Sequence, residues 1–576
     1  MDGAILNTAS LTVAAESSAN VLLRDAALNG AVSFGTGTSL ELQRKNTISG
    51  SLTLGEGVSL MVTLDNSHLA SAALTLTGSV STGTLSLNLN VAEERASGMY
   101  SILSVGRLST ADAWIAENVN VQGSGAAAGA TFADLLWQDG TLYYAASPVW
   151  SNYSGSMVWS STDANWNNGS AFRAGQEVIF MDRGAGEVQL VGELPPASIH
   201  VQNTEGNDYT FTGSGKLSGE TTLTKTGAGE LTISTANDYT GKTDLQGGTL
   251  NVHHSTALGA TATGEATLTT AAGTTLKVAN SSHLVLAGDY DLAGNVDVAE
   301  GATLELQKDG RAAGTLSGSG TLQASNSQVS VDAISNSFTG NLKVEGKGAG
   351  MSIASGSYTG TATLSVAGGT LTFGAKANIT LNAGGQLVLQ SWDDAVAGVT
   401  ANNITVRQGA TLAAKSAIAA LGDIPEAGGY ALPVELNCSR LTLNAGATLE
   451  AEGACFDLNN GVLTLAVTSA TTDKIELVLA ENAVYTGSEQ IALFVNVGQG
   501  IFAYNGINTS TGEESLYTLN AADYFTGMGI NESTQLVYDS TTGTVYLQGV
   551  VSIPEPASAT LSLIALAALA MRRRRK

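Results

Sequence analysis

Apolar and polar positions alternate in short runs along most of this chain. Ser39-Leu-Glu-Leu42, Ser51-Leu-Thr-Leu54, Ser59-Leu-Met-Val-Thr-Leu64 and Leu85-Ser-Leu-Asn-Leu89 are examples from its first part. A period of two belongs to a β-strand with one buried and one wet face. The densest example is Leu223–Leu250, where Leu231 and Ile233 face one way and Thr232 and Ser234 the other. Gly227 and Gly229 precede that run, Asn237-Asp238 follows it, and Gly247-Gly248 leads into Leu250 and Val252. These are turn residues placed between strands.

Fragments of the pattern return. Tyr239-Thr-Gly241 is echoed by Phe338-Thr-Gly340, Tyr358-Thr-Gly360 and Tyr485-Thr-Gly487. Gly248-Thr-Leu250 is echoed by Gly369-Thr-Leu371 and, with one residue inserted, by Gly273–Leu276, Gly301–Leu304, Gly409–Leu412 and Gly446–Leu449. The intervals suit one or two turns of a coil of about 20–25 residues. One such coil cannot bury its apolar side alone, whereas coils stacked about 4.8 Å apart share a continuous core. The expected fold is therefore all-β, a parallel β-helix or solenoid. An array of sandwiches is the competing architecture, which strands this short disfavour.

Two hairpins punctuate the chain. Leu135–Tyr144 turns at Asp139-Gly140, and Leu536–Leu547 forms its counterpart; Met99–Val105 and Gln490–Val497 lie upstream of them. Residues 1–148 and 375–550 thus read as two solenoid modules of one kind, each closed by a hairpin. Residues 149–222 read as a tryptophan-rich cap with its lead-in strands, and 223–374 as the repeat coils. Trp150, Tyr153, Trp159, Trp166 and Val178-Ile-Phe180 are expected to plug the open end of a strand stack. The alternative for the same rings is a surface platform for stacking sugars.

Composition narrows this further. At 576 residues the chain exceeds one compact core. With 43% hydrophobic residues it can bury enough surface to fold. The net charge is −25, and five of the 25 basic residues are the last five, leaving 20 against 50 acidic ones. Such a surface repels nucleic acid, which is excluded as a partner, and favours solubility.

Leu223–Leu250, with Ser255-Thr-Ala-Leu-Gly259 after it, resembles the autotransporter-associated β-strand repeat of bacterial passenger domains. Trp150, Trp159 and Trp166, followed by Phe172 and Val178-Ile-Phe180, are similar to the segment that often precedes that repeat. The resemblance implies a right-handed β-helix exported to the cell surface. No run of amphipathic ten-residue strands of the kind that builds a translocator barrel follows, so a complete autotransporter is not expected.

The last residues differ in kind. Ala557–Met571 is an apolar run flanked by Pro554-Glu555-Pro556 and by Arg572, Arg573, Arg574, Arg575 and Lys576. A short C-terminal transmembrane helix is expected, its cations fixing the cytoplasmic side. Proline-glutamate-proline, apolar helix and terminal arginine cluster together resemble the PEP-CTERM sorting signal of Gram-negative bacteria. The resemblance implies recognition by an exosortase-type processing enzyme at the inner membrane, with cleavage near Pro554–Pro556. Transfer to the cell surface or the extracellular space would follow. It also implies a secretory signal peptide. Met1–Ser10 has neither a basic nor an apolar region, so the exported precursor is expected to start differently.

Candidate chemistry is sparse. Cys438 and Cys455 are seventeen residues apart and in no metal-ligand spacing; they pair as one disulfide in an exported chain or remain buried thiols. Gly241-Lys-Thr243 has the end of a phosphate-binding loop without its first glycine. His253 and His254 are adjacent on a strand and face opposite sides, unsuited to one metal ion. Asp393-Asp394 beside Trp392, and Glu93-Glu94, are the dense acidic spots. A glycosidase or lyase would need such carboxylates to converge in a groove.

No catalytic, metal or cofactor set stands out. The expected function is a non-enzymatic exported surface or extracellular-matrix protein. Its partners are expected to be an extracellular glycan or a host or matrix surface. The alternative is a β-helix carbohydrate-active enzyme, a lyase or glycosidase, on extracellular polysaccharide. A passenger secreted with a separate translocator is a third reading, and the arginine-rich tail argues against it.

Overall fold

The computed structural model describes residues 1–14, 19–69, 71–82, 85–91, 99–105, 119–125, 135–138, 140–167, 169–279, 281–392, 395–416, 434–452, 454–479, 490–509, 515–527 and 529–549. It divides into two units, Met1–Ala260 and Thr261–Lys576.

In the first unit, strands Asn20–Arg24, Ser39–Gln43, Val58–Leu64, Leu85–Val91 and Val119–Gly125 lie side by side in parallel. Leu40, Leu60 and Leu87 are in register, as are Leu42, Val62 and Leu89, and all six point into the core. The alternating residues between them face out, which is the alternation of the sequence made physical. A second parallel face is built from Ile5–Val13, Ala27–Phe34 and the short strands Asn46–Ile48 and Leu52–Leu54.

The stack stops at strand Met99–Val105. One edge takes Leu74–Leu76 in parallel, and the other takes Thr141–Ala145 antiparallel. Thr141–Ala145 is the second arm of the expected hairpin with Leu135–Gln138. Asp139 at its tip lies outside the described residues.

A new stack begins in the same unit. Val158–Trp159, Gly186–Leu190, Tyr209–Gly213, Glu230–Ile233 and Thr249–Val252 form one parallel face. Glu177–Phe180, Ser198–Val201, Thr222–Lys225 and Thr243–Leu245 form another. Val188, Phe211, Ile233 and Val252 stand above one another as an inward column.

The second unit holds the most regular column. Leu284, Leu304, Leu322, Leu342, Leu364, Leu387, Leu412, Leu449 and Leu477 are consecutive in-register partners on parallel strands. None is more than 2% exposed. Burying each leucine contributes about 1.5–3 kcal/mol before chain entropy is counted. The first six steps of the column agree closely with the expected coil length. The step from Leu412 to Leu449 is longer because residues 417–433 intervene.

This unit ends as the first module does. Gln490–Val495 pairs antiparallel with Thr544–Gln548, itself paired with Gln535–Asp539. Both closing pairs carry an irregularity at the same place, between Ser101 and Leu103 in one and between Ala492 and Phe494 in the other. Leu516–Asn520 adds a further antiparallel strand here, with no counterpart among the described residues of the first module.

Long parallel ladders identify an all-β parallel solenoid and set aside the sandwich array, whose sheets are antiparallel. Among the described residues no helix is long and apolar enough to cross a membrane. The expected C-terminal helix, in residues 551–576, lies outside the described residues, so the structure gives it no support.

Candidate functional site

The stretch that stood out in the sequence, Leu223–Leu250, covers two successive levels of the second stack in the first unit, with Thr222–Lys225 stacked on Thr243–Leu245 and Glu230–Ile233 on Thr249–Val252. Strand alternation turns Leu223 and Lys225 to the same side, the inside. Lys225 occupies a column whose other members are Phe180, Val201 and Leu245. Its side chain is only 1% exposed. The ammonium folds toward the corner of the coil and donates to the carbonyl oxygen of Gly227 and, at 3.4 Å, to that of Gly247. These carbonyls belong to successive levels, so Lys225 ties the corner together from within. Burial lowers its pKa to about 8, partly opposed by the charge of Asp208.

Other conspicuous residues close on the scaffold in the same way. Asn237 accepts from the Leu217 backbone N–H at 2.9 Å and donates to the Ala257 carbonyl at 2.7 Å, joining the level below to the level above. The buried Tyr239 hydroxyl shares a 2.7 Å hydrogen bond with Thr243 Oγ1, and burial raises its pKa. Gly241 must be glycine because a Cβ there would lie 2.1 Å from the Thr221 carbonyl oxygen. Gly248 adopts φ of +65°, a left-handed conformation that disfavours other residues. Lys242 pairs with Asp244 at 3.5 Å. Gly241-Lys-Thr243 is therefore a close-packed corner of a coil, not a phosphate cradle.

The tryptophans form a plug. Trp150, Trp159 and Trp166 are all 0% exposed. Trp159 packs edge-on against Trp166, Phe172 and Phe211, with ring centroids 5.2, 5.6 and 5.9 Å away. Trp150 stacks on Phe180 at 5.7 Å and donates its indole N–H to the Gly184 carbonyl at 2.9 Å. No face of these three rings is open to a sugar, which removes the platform reading; Tyr153, 58% exposed, stands outside the cluster. Behind them, Met99 and Ala145 of the closing strands share a small core with Val149, Ile179 and Met181.

Cys438 and Cys455 are free, buried thiols. Val434 lies opposite Phe456, which puts Cys455 about five residues along the strand direction from Cys438. At about 3.3 Å per residue that is on the order of 15 Å, beyond the ~7 Å Cα separation a disulfide bridges. The possible disulfide is thus absent. Burial pushes the two thiols up to about 12 and about 11, which makes them poor nucleophiles.

Among the described residues no group of three or more His, Cys, Asp or Glu is placed to hold a metal ion. His254 Nδ1 lies 3.2 Å from Thr256 Oγ1 in its own loop. Glu93-Glu94 and Asp393-Asp394 lie outside the described residues. So do Pro554, Glu555 and Pro556, and the cluster Arg572, Arg573, Arg574, Arg575 and Lys576. Lys225 is the residue that sequence reasoning passed over. Its signal was the Leu-Thr-Lys alternation, which sets a cation on the leucine side of a strand.

The model of the passenger-associated-transport-repeat family matches residues 223–252. No curated protein and no solved structure matches the chain. Fold and match together define a parallel β-solenoid that carries a passenger-type repeat.

Proposed function

We propose that the protein is a non-enzymatic exported scaffold that displays its solenoid faces and loops at the cell surface or in the extracellular matrix. The observation that carries this is the passenger-type repeat at 223–252, built into the stack as two ordinary successive levels. Its lysine and asparagine bind backbone groups of neighbouring levels, its tyrosine binds Thr243, and its glycines make close-packed corners, so the conspicuous residues of the repeat serve the stack. A net charge of −25 suits a protein that must stay soluble and unaggregated outside the cell.

In this reading the tail is the address. Pro554-Glu555-Pro556 is read by an exosortase-type enzyme while Ala557–Met571 dwells in the inner membrane. Arg572–Lys576 holds the end on the cytoplasmic side. The partner outside is an extracellular glycan or a matrix surface. Fractionation of the native host, with mass spectrometry of the C-terminus, tests the proposal. Surface or extracellular protein ending before Ala557 is the expected result. Protein kept in the inner membrane with its tail intact would overturn the sorting step.

A further inference from the structure

The outer face of the first five-stranded sheet carries a recess of about 600 Å³, within the range of ligand sites. Its walls are two rows of outward side chains. Glu41, Met61, Asn88 and Gln122 form one row, in register across four parallel strands. Gln43, Thr63, Asn90 and Ser124, two residues further along each strand, form the other. The floor between them is the backbone at Val62, Leu89 and Gly123. The recess therefore runs across the strands, along the stacking direction. Its walls are about 6.6 Å apart and its four levels span about 14 Å.

We propose that this groove binds a neutral glycan chain laid along the stacking direction. The chemistry of the walls selects the class. Amides and hydroxyls donate and accept, as sugar hydroxyls do, and Met61, 43% exposed, offers an apolar surface for ring C–H groups. Glu41 is the one carboxylate among the lining residues, and it accepts from Gln43 Nε2 at 2.5 Å. Gln43 Oε1 in turn accepts from Arg24 Nε at 2.9 Å, while Arg24 also faces Asp2 at 3.4 Å. Glu41 and Arg24 are thus both engaged through Gln43, and no cation is among the described residues that line the groove to recruit a polyanion.

A peptide gains most by pairing its backbone with a strand edge. Here the groove crosses the strands and so offers no strand edge along its length: Val58–Leu64 and Leu85–Val91 are paired on both sides, and Val119–Gly125, which ends the sheet, runs across the groove rather than along it. Binding must come from side chains. With a single carboxylate, the groove retains a glycan rather than cleaving it, since glycoside hydrolysis ordinarily takes two.

The test uses the full chain in titration calorimetry with cellohexaose, maltohexaose and xylohexaose. Polygalacturonate and a glycine-serine peptide serve as contrasts. Saturable binding to at least one neutral hexasaccharide is expected, without release of shorter sugars. Asn88→Ala and Gln122→Ala should each weaken it about tenfold, or ~1.4 kcal/mol, with unchanged circular dichroism. Glu41→Gln should leave it nearly intact. No saturable binding to any of the three sugars would overturn the proposal. So would binding indifferent to the Asn88→Ala/Gln122→Ala double variant, or preference for polygalacturonate or the peptide. The result is independent of the fractionation experiment, because a mis-sorted protein would still bind and an exported one could fail to.

Discussion

The stack from Val158 to Val252 and the column from Leu284 to Leu477 meet one packing demand with different residues. The second repeats leucine at nine successive levels. The first starts on three tryptophans and places a lysine between Val201 and Leu245. A uniform column asks only for an apolar residue of suitable size, so many sequences satisfy it and none becomes diagnostic. The mixed stack needs particular residues at particular corners, and there the family match falls. The family signature therefore marks exceptions to the packing, while the rest of the solenoid needs no signature to form.

The largest test of that difference is Trp159→Ala. It should cost the first unit about 3–5 kcal/mol, because several rings lose their common neighbour. Urea unfolding combined with hydrogen exchange should show protection lost from Gly186–Leu190 and Tyr209–Gly213 and kept along Leu284–Leu477. If the leucine column opened as well, the two could not be treated as separate packing solutions.

Leu364→Ala, in the middle of the leucine column, should cost about 2–4 kcal/mol. Since each level touches only its neighbours, exchange should rise mainly at Leu342 and Leu387 and fade beyond them. Uniform opening from Leu284 to Leu477 would contradict a level-by-level column.

Lys225 gives the mixed stack a pH dependence that the leucine column lacks. Its folded pKa of about 8 lies below the 10.5 usual for a lysine. Between those values the unfolded chain holds a proton that the folded chain has shed, so stability should climb as pH rises through that window. Below about pH 8 both states are charged and the full cost of burying the cation applies. The gain reaches about 3 kcal/mol at most. Lys225→Met should flatten the profile in urea titrations at pH 7.5–10.5, and a profile unchanged by the substitution would remove Lys225 as its source.

Gly248→Ala has the smallest expected effect, about 1–2 kcal/mol, from a left-handed φ and a Cβ set 2.3 Å from the Gly229 carbonyl oxygen. A melting temperature equal to that of the parent would show that this corner yields.

Much of this architecture was legible in the alternation. Leu304, Leu412 and Leu449, picked out by their Gly-Ala-Thr-Leu setting, are three members of the leucine column. Both hairpins and the strands they close on were legible too, from Asp139-Gly140 and the matched apolar runs. What alternation could not give was which outward residues become neighbours. Glu41, Met61, Asn88 and Gln122 line up only because loops of unequal length bring their strands into one register, and no spacing rule announces that. The fate of Cys438 and Cys455 was hidden for the same reason. Seventeen residues of sequence say nothing about displacement along a strand until the pairing of Val434 with Phe456 is known.

The leucine column has a kinetic consequence. From Leu284 to Leu412, each strand finds its partner within about 25 residues of chain or fewer. Loop closure is therefore a short-range search however long the protein becomes. Once one pair of coils has formed, every later coil adds to a ready template, so assembly advances like a zip from whichever end is freed first. A large protein built this way meets the entropy barrier of a small one, many times in succession.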